Sequence, residues 1–176
     1  PKLYIADGHH RAASALRWAK LRRATNPSHT GKEAYNYFFS VFFSSNQIDI
    51  VDYNRVVKDL NGNTKEELIQ KISHFFEVKS VNSDFKPSQY HEIGMYINKE
   101  CYALVPKEGI YNEASVVDSL DVSILQDNLL SPILGINDPR TDKRIDFVSG
   151  REGFEGIKVR VDSGEFEVAF TLFPVS

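Results

Sequence analysis

The chain has 176 residues, 41% hydrophobic and 26% charged, with a formal net charge of −3. This length and composition exclude a disordered or fibrous chain and support one ordinary domain, or two small ones, with a real core. No apolar stretch approaches the ~20 residues that span a bilayer, and the single cysteine, Cys101, excludes an intrachain disulfide and fits a reducing cytoplasm.

The acidic balance argues against a general nucleic-acid binder. The first 32 residues are nevertheless basic, with Lys2, Arg11, Arg17, Lys20, Arg22, Arg23 and Lys32 against Asp7 alone. The sequence opens at Pro1 without methionine or a signal-peptide pattern and stops directly after an apolar run. We therefore expect one α+β domain over residues 1–176, excised from a longer chain.

In chain order, Leu3 to Ala6 reads as a short strand leading into a helix from His9 to Ala24, rich in helix formers. Ala12, Ala15, Leu16 and Ala19 share a face small enough to lie close against a sheet. Thr25-Asn26-Pro27-Ser28 ends the helix. Tyr35 to Ser44, dense in aromatics, predicts a central buried strand. Asn54 to Asn63 reads as a short helix or turn. Thr64 then caps a helix over Lys65 to Phe76, with Glu67 completing a capping box.

Glu77 to Val81 predicts a strand, and Gly94 to Ile97 with Tyr102 to Val105 a β-hairpin. Leu120 to Leu130 is expected to be helical with Ser119 as cap. Arg144 to Val148 and Glu165 to Phe173 read as strands, and Phe154 to Val161 fits either state. The sum is α+β, or mixed α/β, with a mostly antiparallel sheet and flanking helices.

The most chemically loaded stretch is Asp7-Gly8-His9-His10-Arg11, where a turn delivers two imidazoles and a guanidinium to a helix start. Three readings stay open from the residues alone. Asp7 caps the helix and the rest is solvated; or the histidines bind a metal, although neighbours on a helix diverge by about 100° and no second ligand cluster is visible; or backbone amides, Arg11 and a histidine hold a phosphate or carboxylate. The third leads. In it, an imidazole can carry a proton near neutral pH, and Asp7 can orient it or hold a magnesium-bound nucleotide.

This corner, opening an alanine-rich helix, resembles the signature of ParB/sulfiredoxin-like domains, in which a glycine, one or two polar residues and an arginine cradle nucleotide phosphates. The ADP-dependent free serine kinases share that fold and a very similar corner. The wider chain is similar to an uncharacterised prokaryotic family, domain of unknown function 1015. That likeness lies in Ala6 to Arg11, Ser119 to Leu125 through Leu134-Gly135-Ile136, Arg144 to Phe147, and Asp162 to Phe166 through Phe173-Pro174. The kinase comparison is an analogy of site, not of whole chain.

The resemblance implies a ParB/sulfiredoxin-like strand–helix element and a cytoplasmic small-molecule phosphoryl-transfer or phosphate-ester enzyme. Gly8, His9, His10 and Arg11 would bind phosphate, His9, His10 and Asp7 would serve catalysis, and magnesium with ATP or ADP would assist. Serine or phosphoserine are substrates by analogy. Asp121, at a helix start, and Arg140 and Arg144, in or beside the charged turn Asp138 to Arg144, are further substrate or supporting candidates. No metal ligands are assigned. The alternative is a non-catalytic nucleotide sensor, or a ParB-like DNA partner using Arg17, Lys20, Arg22 and Arg23. His29 and His91 sit in polar loops and carry no signal, His74 reads as partly packed on its helix rather than functional, and Cys101 reads as a buried small hydrophobe.

Overall fold

The computed structural model describes residues 3–82 and 85–174. The chain divides into two compact units, Pro1–Ile48 and Asp49–Ser176. No described helix is long and apolar enough to cross a membrane.

The first unit is built on helix α1, His9–Ala24. Its small face is the one that packs: Ala19 is buried and Ala12 and Ala15 are half-buried, whereas Leu16, Trp18 and Leu21 stay exposed. The polar end of α1 meets a short 3-10 turn, Ala34–Asn36. Arg23 Nε donates to Asn36 Oδ1 at 2.8 Å, and the Arg22 guanidinium lies over the rings of Trp18 and Tyr35. Glu33 closes the loop before it by accepting from the Thr30 and Gly31 amides, bonds that hold its carboxyl down at about 2.

Two expected strands are corrected here. Leu3 to Ala6 is exposed and unpaired, so the helix of the strand–helix element is present without its strand. Tyr35 to Ser44 is not a buried strand either: beyond the 3-10 turn it runs without ladder pairing, and Tyr37, Phe39, Phe42 and Phe43 are all more than 60% exposed. Strand propensity supplies side chains that suit a pleated surface, but a strand exists only where a neighbour completes its ladder.

The second unit is a six-stranded, wholly antiparallel sheet in the order β2-β4-β3-β6-β1-β5. Its strands are β1 (Tyr53–Val57), β2 (Phe76–Val81), β3 (Ile93–Ile97), β4 (Glu100–Pro106), β5 (Ile145–Ser149) and β6 (Val168–Thr171). With α2 (Lys65–Ile72), α3 (Asp121–Leu125, continuing through a π-turn over Gln126–Leu130) and α4 (Gly153–Asp162), the chain is α+β.

Strand alternation sorts the two faces. Met95, Ile97, Val168 and Phe170 point to a core completed by Leu68 and Ile72 of α2 and by Ile124, Leu125 and Leu129 of α3 and its π-turn. Tyr96, Ala169, Val56 and Val148 point the other way, onto Phe154, Ile157 and Val161 of α4. Because β3 is apolar on both faces, it reads as a continuous hydrophobic run rather than an alternating one.

Local signals that needed no distant partner hold as expected. Thr64 Oγ1 accepts from the Glu67 amide at 3.2 Å while Glu67 returns a bond to the Thr64 amide at 2.8 Å. The β3–β4 hairpin turns on Asn98 and Lys99, both at positive φ, the two-residue geometry that matches strand twist. Asn54 to Asn63 is corrected from helix or turn: its first part is β1, held between β6 and β5, and only Asp59 to Gly62 turns. Ser119 does not cap α3; Leu120 occupies the cap position without a side-chain bond.

Candidate functional site

In the first unit, Gly8 stands at the N-cap of α1 with φ 81° and ψ 24°. That left-handed conformation favours glycine, and a Cβ here would also press on the Arg11 guanidinium at 2.9 Å. Of the three readings of this corner, the Asp7 cap is not formed: Asp7 Oδ1 takes the Gly8 amide at 2.6 Å, one residue too early to cap, and no side chain caps α1. The first turn holds no acidic residue. Its amide donors therefore face outward with the positive end of a 16-residue helix behind them.

Around this start stand the predicted side chains, all exposed. His9 and His10 diverge along the helix, yet their rings tilt together with centroids 4.0 Å apart. Arg11 Nη2 donates to Asp7 Oδ2 at 3.2 Å, with the two side chains 76% and 92% exposed. A pair this wet is worth about 0–1 kcal/mol, so an incoming anion can displace it. Among the described residues no group of three His, Cys, Asp or Glu side chains could hold a metal.

The other predicted residues lie in the second unit and have different surroundings. Asp121 begins α3 and is only 4% exposed. Its Oδ1 accepts from the His91 amide at 2.9 Å and lies 3.2 Å from His91 Nδ1, an ion-pair distance without hydrogen-bond alignment. Its Oδ2 is buried with no hydrogen-bond partner. Burial raises the Asp121 carboxyl above its usual range, against the lowering pull of His91. The His91 ring stacks on Tyr111 at 5.0 Å, and His91 itself sits at φ 63°.

Arg140 folds back in a two-pronged grip on Asp138, at 2.9 and 3.0 Å, and remains 78% exposed. Arg144 is a structural clamp. Its guanidinium donates to the carbonyls of Leu134 and Gly135 at 3.0 Å each, grips Asp142 at 2.8 Å and reaches Asp59 at 3.4 Å. No hydrogen bond or ion pair among the described residues joins Asp121, Arg140 and Arg144 to one another.

A family model described as "Protein of unknown function (DUF1015)" matches residues 1–123. The chain belongs to that family. The match contains both the Asp7–Arg11 corner and Asp121, and ends before Arg140 and Arg144. No curated protein and no solved structure matches the chain.

Within this DUF1015 chain, three features escaped sequence reasoning. His91 was assigned to a polar loop, and nothing local marks it, because its partner Asp121 is 30 residues away. Arg55 fell in a stretch read as helix or turn. On β1 it lies over the rings of Tyr53 and Phe147, and burial depresses it to about 10. The third is a cavity of about 220 Å³ whose lining includes Asp52, Asn54, Lys86 and Thr171. These residues come from separate parts of the chain, so only the fold assembles them.

Proposed function

We propose that this DUF1015 chain is the phosphate-holding part of a small-molecule phosphoryl-transfer or phosphate-ester enzyme, with the phosphate at the start of α1. The observation that carries this reading is the uncapped helix start: Gly8 at positive φ, no acidic residue in the first turn, and His9, His10 and Arg11 exposed beside it. A phosphate there would take backbone N–H donors, the helix dipole and, after Asp7 releases it, the Arg11 fork. Phosphoryl transfer depends chiefly on positioning and charge neutralisation, which such a cradle supplies.

In this reading His9 or His10 moves the proton, with the imidazole ring as donor and acceptor. Asp7 orients Arg11 before substrate arrives. Magnesium with ATP or ADP would complete the charge balance, and phosphoserine or serine are the first substrates to try. Arg22 and Arg23, which a DNA-binding reading would need free, already contact Trp18, Tyr35 and Asn36.

The test is calorimetry of the chain against inorganic phosphate, phosphoserine, serine, ATP, ADP and CTP, with and without magnesium, repeated on Arg11→Ala and Gly8→Ala. The expected result is a phosphate-bearing ligand that binds the wild type and binds Arg11→Ala about ten-fold or more weakly, as loss of a charge-assisted bond implies. Absence of binding by every phosphate compound, or equal binding by both variants, would overturn the reading.

A further inference from the structure

The second unit holds a cavity whose charges folding leaves unpaired. It measures about 220 Å³ and opens between β1, the end of β6 and the start of α4. Asp52 and Lys86 both line it, yet no ion pair joins them, and neither has an oppositely charged partner among the described residues. Asp52 is anchored at one oxygen, where Asn54 Nδ2 donates to Oδ2 at 2.6 Å, and Asn54 is fixed in turn by accepting from the Leu172 amide at 3.0 Å. Gly150 packs so closely that a Cβ there would collide with the Asp52 carboxylate. An acid held this firmly but left without a cation is a prepared binding group.

One more feature points to a ligand with a hydrogen-bonding end. Thr171, 5% exposed, lines the same cavity, and its Oγ1 is buried without a hydrogen-bond partner. Gly153 and Phe154, the first residues of the ten-residue helix α4, also line it. The remaining wall is apolar, with Ile157, Leu172 and Pro87 beside Phe154. Sites for drug-sized ligands measure about 300–1,000 Å³, so this smaller cavity selects against a nucleotide and for a metabolite of amino-acid size.

We propose that this cavity binds a free α-amino acid with an apolar side chain, its ammonium on Asp52, its carboxylate on Lys86 and Thr171. The assignment is independent of the α1 corner, since every lining residue belongs to the second unit.

Calorimetry of the chain with leucine and valine tests it, beside leucine methyl ester, which lacks the carboxylate, 4-methylpentanoate, which lacks the amine, and glycine, which lacks the side chain. Leucine or valine should bind, and each altered compound should bind about ten-fold or more weakly, as loss of one charged contact or of the buried side chain implies. Asp52→Asn, which keeps the shape of the wall, and Lys86→Met, at an exposed position, should each weaken leucine to a similar extent. No binding by either amino acid, equal binding by the one-ended analogues, tighter binding of glycine, or indifference to Lys86→Met would overturn the proposal.

Discussion

Thr171→Val isolates the consequence of a single unpartnered hydroxyl. Thr171 closes β6 at 5% exposure, and its Oγ1 meets no donor or acceptor among the described residues. A buried polar group in that state forfeits its bonds to water, at a cost of about 1–3 kcal/mol. Valine keeps the β-branched shape that strands favour and replaces the hydroxyl by a methyl. The methyl is bulkier, and the space is tight: Gly94 faces Thr171 across the β3–β6 ladder, where a Cβ would collide with Oγ1. Subtracting that crowding leaves a net stabilisation of about 1–2 kcal/mol, or about 2–8 °C in melting temperature for a chain of this size. The assay must report on the right unit. The single tryptophan, Trp18, belongs to the first unit, whereas urea unfolding followed by far-UV circular dichroism registers the strands of the second. A loss of about 1 kcal/mol or more on Thr171→Val would refute the reasoning, because it would mean that the hydroxyl has a partner in solution.

Three further substitutions probe the second unit. Arg144→Met should destabilise the chain by about 2–4 kcal/mol, because it strands two carbonyls and two carboxylates, and a urea midpoint within about 0.5 kcal/mol of wild type would show that the clamp is idle. Thr64→Ala should cost about 1 kcal/mol through loss of the capping box, read as a lower melting temperature, and an unchanged value would mean the cap is not formed. Asp121→Asn should alter the pH profile. Burial raises the native Asp121 carboxyl above the usual 3.8, so the native state holds that proton more tightly than the unfolded chain does. Its favourable contribution is complete below the unfolded value and is lost as pH rises through the raised native one. The variant-minus-wild-type stability should therefore grow more favourable across that rise, and a flat difference in urea midpoints would contradict it.

What the sequence made legible divides by the range of the signal. The α2 capping box and the Asn98-Lys99 hairpin are written in a few adjacent residues and appear as read. The helix after Asp7-Gly8 also appears, with the bounds His9–Ala24. Tyr35 to Ser44 failed because its aromatics state a preference for a strand while pairing depends on a neighbour. Asn54 to Asn63 failed for the opposite reason. Its polar residues hide a strand whose Asn54 is tolerated at 1% exposure because it bonds Asp52 and Leu172, 118 residues ahead. Site residues follow the same rule: Asp7 to Arg11 are contiguous and stood out, whereas His91 becomes notable only once β3 and α3 bring it to Asp121.

Charge alone did not distinguish working residues from structural ones; pairing does. Arg140 and Arg144 looked like substrate groups in the sequence, yet one is gripped by Asp138 and the other by Asp142, Asp59 and two carbonyls. Arg160 is likewise committed to Asp146 and Glu165, and Lys65 to Glu100. Lys86 and Asp52 differ in their place, one cation and one acid on a shared cavity with no opposite charge for either among the described residues. The exposed Arg11–Asp7 pair is intermediate, formed but weak enough to yield to an anion. An acid and a cation that line one small cavity without an ion pair between them are placed where a ligand carrying both charges can complete them. That is why Lys86→Met, at an exposed position on the cavity wall, discriminates a ligand-binding role of this cavity from a merely structural one.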